Sequence, residues 1–285
     1  MKTAIFRYLS YTLLFASVLK EIFPIQAEII SPTSSITKET KWENYPHLSK
    51  EMQQRISPYL ISSAHPLKPV LDDLFGKKRI TRSKNDFIKA GFKIVDERPR
   101  SFVIVARHLQ LKDHLVKCYF DTENREKKGR ASWKWLVDRC RGAKKLAQVI
   151  KKHQIKHFDV AKKWIYLQPL LDKKPPFKEF YTRHPALLLV TDMKLVPMEK
   201  NLYAWKHLVT KEMLKELYVV ITESKGSSYR ADNIAYSSHF NKFCFIDSEY
   251  PSHGPDYSRI GHYLNSEMKA YWYGLVKKGD INILE

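Results

Sequence analysis

Of 285 residues, 50 are Lys or Arg against 30 Asp or Glu, so the chain carries a formal net charge of +20, which favours phosphate-bearing or otherwise anionic partners. Apolar residues make up 44% and glycines number only 9, a composition that excludes a disordered basic tail and permits a sizeable core. Cys118, Cys140 and Cys244 stand in apolar runs without C-x-x-C or Cys/His spacing; this argues against a zinc site or disulfide framework and reads as buried free thiols.

Lys2 and Arg7 precede an apolar stretch, 8–19, that is too short to span a bilayer and has the length of a secretory signal. Ala27 offers a cleavage site, so residues 1–27 are expected as a signal peptide and the mature protein as exported, with no later transmembrane segment. Residues 28–60 are rich in Ser, Thr, Lys and Glu and read as a linker or N-terminal arm, with Trp42 and Tyr45 as its anchors.

A short helix is expected over 67–75, then a helix or strand through 87–95. The β-rich runs 101–106 and 114–120 suggest an antiparallel hairpin. A long helix fits 131–152, where Trp133, Leu136, Val137, Cys140, Ala143, Ala147 and Ile150 form an apolar stripe beside a basic face. Strands are expected at 164–167 and 186–190, and Thr210 can cap a helix with the stripe Met213, Leu214, Leu217, Val220 and Ile221. Two short strands, 234–236 and 243–246, bracket a turn, and a final helix is expected over 256–276.

Chemistry concentrates in Arg230-Ala231-Asp232-Asn233-Ile234 and in Phe245-Ile246-Asp247-Ser248-Glu249, with Asp247 following Asn233 by 14 positions. Together with Lys117 on an expected strand and a long helix after it, this order resembles the protein kinase-like superfamily, especially its aminoglycoside phosphotransferase-like branch. The chain as a whole also resembles exported proteins of intracellular bacteria. The kinase-like resemblance implies a two-lobed α+β fold, with an N-terminal lobe over 61–195 and a reduced C-terminal lobe over 196–285. It implies Lys117 as the nucleotide-binding lysine and Asp138 as the carboxylate that orients it, where the family usually has Glu. It also implies Asn233 and Asp247 as ligands of Mg²⁺ on the phosphates of ATP.

Two departures limit the activity. The family's catalytic-loop Asp would stand five residues before Asn233, at Ser228, which cannot accept a proton at neutral pH; Asp232 is then the candidate base. The Gly-rich phosphate loop is missing, with only Gly91 near the expected first strand. The resemblance therefore implies a pseudokinase or an atypical phosphotransferase.

Each element also has a plainer reading. Lys117 as an outward strand residue, Asp138 paired along its helix with Lys134 or Arg141, and the Asp-Asn pair as a turn all remain open. The alternative function is a secreted basic binding protein whose helix face of Arg139, Arg141, Lys144, Lys145, Lys151 and Lys152 grips nucleic acid, an anionic membrane surface or a protein partner. His239, His253 and His262 lack the spacing of a metalloprotease helix, and no G-x-S-x-G elbow is present.

Overall fold

A computed structural model of the chain describes residues 45, 48–97 (backbone alone at 97), 103–121, 131–169, 171, 184–248 and 253–279. All belong to one compact unit bounded at 36 and 285. The expected signal segment 1–27 and most of the expected arm lie outside the described residues. Where the arm is described, it is core and not linker. Ser49 caps helix α1 (Lys50–Ile56) by accepting from the Met52 amide at 3.2 Å, and Leu48, Met52 and Ile56 are buried.

The chain is α+β, with antiparallel pairing dominant. Helices α2 (Lys68–Gly76) and α3 (Lys84–Lys89) precede strands β1 (Lys93–Glu97), β2 (Ile104–Arg107) and β3 (His114–Cys118). Then come α4 (Ser132–Lys152), β4 (Phe158–Val160), β5 (Lys163–Leu167) and β6 (Ala186–Thr191). The chain continues through α5 (Met198–His207), α6 (Lys211–Ser224), the hairpin of β7 (Ile234–Ser237) and β8 (Lys242–Phe245), and α7 (Ser266–Lys278). Among the described residues no helix is long and apolar enough to cross a membrane.

Five strands form an antiparallel sheet in the order β1-β2-β3-β6-β5. Strand periodicity sorts its side chains into two layers. Ala106, Val116, Cys118, Tyr166, Leu187 and Leu189 pack under α2 and α3 with Leu71, Phe75 and Phe87. The opposite face, with Ile165, Leu167, Ala186, Leu188 and Val190, packs on Trp133, Leu136, Val137 and Cys140 of α4. β6, flanked by β3 and β5, is buried on both faces, which explains its uninterrupted apolar run.

A second sheet, β4-β8-β7, pairs β4 parallel to β8 and β8 antiparallel to β7. Its core joins Leu146 and Val149 at the far end of α4 to Leu217, Val220 and Ile221 of α6 and Trp272 of α7. Thr210 caps α6 as expected, accepting from the Met213 amide at 3.2 Å. The last helix starts later than its apolar pattern suggested. Asp256 turns back on the Ser258 amide at 3.0 Å, and Asn265 caps α7 through the Met268 amide at 2.9 Å.

α4 is held against the end of the hairpin by a glycine. A Cβ on Gly142 would overlap the Ser248 carbonyl oxygen and lie 2.8 Å from the Ser248 Cβ, so helix and chain meet there without room for a side chain. Gly142→Ala is expected to cost about 1–3 kcal/mol in urea denaturation, because backbone and not a flexible side chain must move. An unchanged midpoint would show that 246–248 can retreat freely.

Candidate functional site

Lys117 follows Val116 and precedes Cys118, both of which point to the α2/α3 layer, so its own side chain projects to the α4 side. Lys163 shares that side with Ile165 and Leu167. Lys117 pairs across to Leu188 and Lys163 to Val190, so the two lysines sit on flanking strands, offset by one same-face step of β6. Between sheet and hairpin, α4 contributes Arg139.

The hairpin delivers the opposing group. The loop before β7 closes on itself: the Asn233 side-chain amide donates to the Ser228 carbonyl at 2.6 Å, and the Ile246 amide donates to the Asn233 carbonyl at 2.9 Å. From α5, buried Asn201 braces the loop by donating to the Ala231 carbonyl and accepting from the Tyr236 amide, each at 2.8 Å. Asn201 carries no motif, and only the fold reveals its role.

Asp247 emerges beside Lys117, whose ammonium donates to the Ile246 carbonyl at 3.4 Å although 129 positions separate the two. Arg139 Nε lies 3.3 Å from Asp247 Oδ1, with the carboxylate side chain a quarter exposed and the guanidinium buried. Lys163 is buried and donates to Ser248 Oγ at 3.1 Å, and Ser248 in turn donates to the Arg139 carbonyl at 2.8 Å. Three cationic side chains thus converge on one carboxylate.

Their electrostatics follow from that geometry. Burial, reinforced by Lys117, pushes the Lys163 ammonium down to about 7, with Asp247 opposing the shift. Burial by itself would raise the Asp247 carboxyl, but Arg139, Lys117 and Lys163 together hold it below the usual carboxylate range. Burial pushes the Cys140 thiol up to about 12, which removes it as a nucleophile at neutral pH.

The residues named from the sequence separate into two groups. Lys117, Asn233 and Asp247 come together around 246–247. Asp138 is buried and pairs with Arg141 at 3.1 Å, three residues along the helix; the α4 residue facing Asp247 is its neighbour Arg139. Asp232 pairs with Arg230 at 2.7 Å, so its carboxylate is already engaged by a guanidinium. Ser228 is buried, its hydroxyl 3.5 Å from the Asp247 carbonyl. The β1–β2 connection, where a phosphate-covering loop would lie, falls at 98–102, outside the described residues.

Mg²⁺ does not fit Asp247 as it stands. A dication there would face Arg139, whose Nε already lies 3.3 Å from Oδ1, together with the fields of Lys117 and Lys163, so it would have to displace the cations that now neutralise the carboxylate. Elsewhere, His157, Glu212 and Glu216 bring three ligand atoms within 4.8 Å of one another. Glu216, however, already accepts from the amides of Lys156 and His157 at 3.1 and 3.0 Å, which makes it a brace for that turn.

The basic helix face is less open than its sequence implied. Arg139 is buried where α4 packs on the five-stranded sheet, whereas Arg141, paired with Asp138, and Lys152, paired with Glu223 at 2.9 Å, stay exposed together with Lys144 and Lys151. Comparison with protein-family models finds no match to this chain, and comparisons with curated proteins and with solved structures find none either.

Proposed function

We propose that this is a secreted kinase-like protein that binds a nucleotide polyphosphate and acts as a pseudokinase, with the two-lobed layout and reduced C-terminal lobe that the resemblance implies. One observation carries the reading: Lys117 on the third strand reaches the backbone beside Asp247, across 129 positions to the Ile246 carbonyl, while the Ile246 amide bonds the Asn233 carbonyl. A lysine on that strand pairs with nucleotide phosphates in kinases, whereas the Asp after the later hairpin reaches them there only through a bound metal, so the lysine is the part of the pattern this reading keeps. ATP is the proposed ligand, and metal is left out of the proposal because Mg²⁺ does not fit the carboxylate's surroundings. Ser228 in place of a base and the pairing of Asp232 with Arg230 support binding over catalysis. The polyanion-binding alternative loses Arg139, which is buried against Asp247, but keeps the exposed Arg141, Lys144, Lys151 and Lys152.

A thermal-shift titration tests the reading. ATP at about 100 times its dissociation constant adds about 2.7 kcal/mol of stability, which raises the midpoint by about 5 °C in a protein of this size. Lys117→Met is expected to abolish that rise. A midpoint indifferent to ATP, or equally raised in Lys117→Met, contradicts the proposal.

A further inference from the structure

Lys163 has no counterpart in the kinase-like pattern, yet it is a buried charge beside Arg139 and Asp247. It stands on β5, its ammonium bonded to Ser248 at 3.1 Å, with Lys117 of β3 and Arg139 of α4 as cationic neighbours and Asp247 as the acidic one. Like charges do not gather in a protein interior without cost. Here the burial of Lys163 and the field of Lys117 both disfavour its ammonium, and one carboxylate offsets them only in part. An anion arriving between these groups would relieve each of those repulsions at once. The approach lies on the side where Asp247 is a quarter exposed and Lys117 half-buried.

We propose that Lys163, Lys117 and Arg139 form a metal-independent grip for a polyphosphate chain, in which fixed cations do the work that a divalent ion does in kinases. The inference rests on the nucleotide-binding reading above and specifies how the phosphates are held. The three groups sit on two strands and a helix, so the charge is preorganised and needs no loop to close over it. Asp247 then acts as an internal stand-in for the anion, paired with Arg139 at 3.3 Å until phosphate competes for the guanidinium.

The test is isothermal titration of the full chain with ATP, ADP and inorganic tripolyphosphate, in EDTA and again in excess Mg²⁺. The grip predicts ATP and tripolyphosphate binding in EDTA, weakened at least about tenfold in Lys163→Met by the lost charged hydrogen bonds. Asp247→Asn is expected to bind ATP more tightly, since it removes the competing carboxylate; a metal ligand at 247 would give the opposite sign. ATP binding more tightly than tripolyphosphate marks a nucleotide as the source of the chain, equal binding marks the bare polyphosphate, and either supports the grip. Binding that appears only with Mg²⁺ overturns the grip and leaves the nucleotide reading standing. Binding in EDTA that Lys163→Met and Lys117→Met leave unchanged also overturns it. Failure of ATP to bind under either condition removes both readings.

Discussion

Replacing Lys163 with methionine is expected to stabilise the protein, and to stabilise it more at pH 6 than at pH 9. The side chain is buried, and its ammonium holds its proton to about pH 7 in the folded protein against 10.5 in the unfolded chain. Below pH 7 both states carry the charge, and the folded state bears the full cost of burying it beside Lys117 and Arg139. Between about 7 and 10.5 the unfolded chain binds more protons than the folded one, so stability rises with pH and the penalty fades. At 1.36 kcal/mol per pH unit, the advantage of Lys163→Met over the wild type should shrink by about 2–3 kcal/mol between pH 6 and pH 9. Urea denaturation of both proteins across that range measures it. A constant gap would mean that Lys163 is solvated, and the electrostatic account of the cleft would fall with it. Met fills the stem of a lysine at similar volume, so packing contributes little to the difference.

Asp121→Ala is expected to be the most damaging single change. Arg79 clasps Asp121 with two hydrogen bonds, at 2.8 and 2.9 Å, with both residues buried. The same guanidinium donates to the His184 carbonyl at 2.6 Å, and the His184 amide donates back to Asp121 at 2.9 Å. The imidazole of His184 lies 2.7 Å from Ser132 at the start of α4, and Tyr119, its ring tilted against His184, accepts from Arg139 at 3.4 Å. The network therefore reaches from α2's flank through the sheet edge to the cation that faces Asp247. Alanine at 121 strands a buried guanidinium and an amide, for a loss of about 3–5 kcal/mol. The paired variant Arg79→Met with Asp121→Leu should lose much less than the sum of the two single changes, since neither charge is left alone. Additive losses would show that the two residues act independently.

Much of the fold was legible because its signals are local. The apolar runs at 103–106, 114–118 and 186–190, the stripe of α4 and the Thr210 cap each declare an element within a few residues, and each appears close to its expected place. α1, β4 and α5 were not legible. α1 has only Met52 and Ile56 as buried anchors, and β4 is three residues long, held by its parallel pairing to a strand more than 80 positions away. α5 leaves Met198, Leu202 and Tyr203 exposed, so its apolar residues trace no buried stripe, and it is fixed by Asn201 and Trp205 bonding to the hairpin backbone at 2.8 and 2.9 Å.

The cleft divides in the same way. Lys117, Asn233 and Asp247 could be named because a spacing of 14 and a strand-borne lysine are readable along the chain. Arg139 and Lys163 could not. Arg139 lies in a run of basic residues that scans as a solvent face, and Lys163 immediately precedes an apolar strand as a surface lysine would. Their burial is decided by Gly142 letting α4 close on Ser248 and by the register of β5 against β6. Those are long-range facts, and residue type alone does not carry them. Asp138 was named by its distance along the chain from Lys117, whereas which of two adjacent helix residues faces the cleft depends on a rotation of about 100°.

The claim that this cleft holds phosphate is tested most directly by a crystal structure of the full chain grown with saturating ATP and no divalent ion. The account predicts phosphate oxygens within about 3.5 Å of the ammonium groups of Lys117 and Lys163. ATP bound elsewhere on the basic surface, with Asp247 still paired to Arg139 as it is at 3.3 Å, would contradict it.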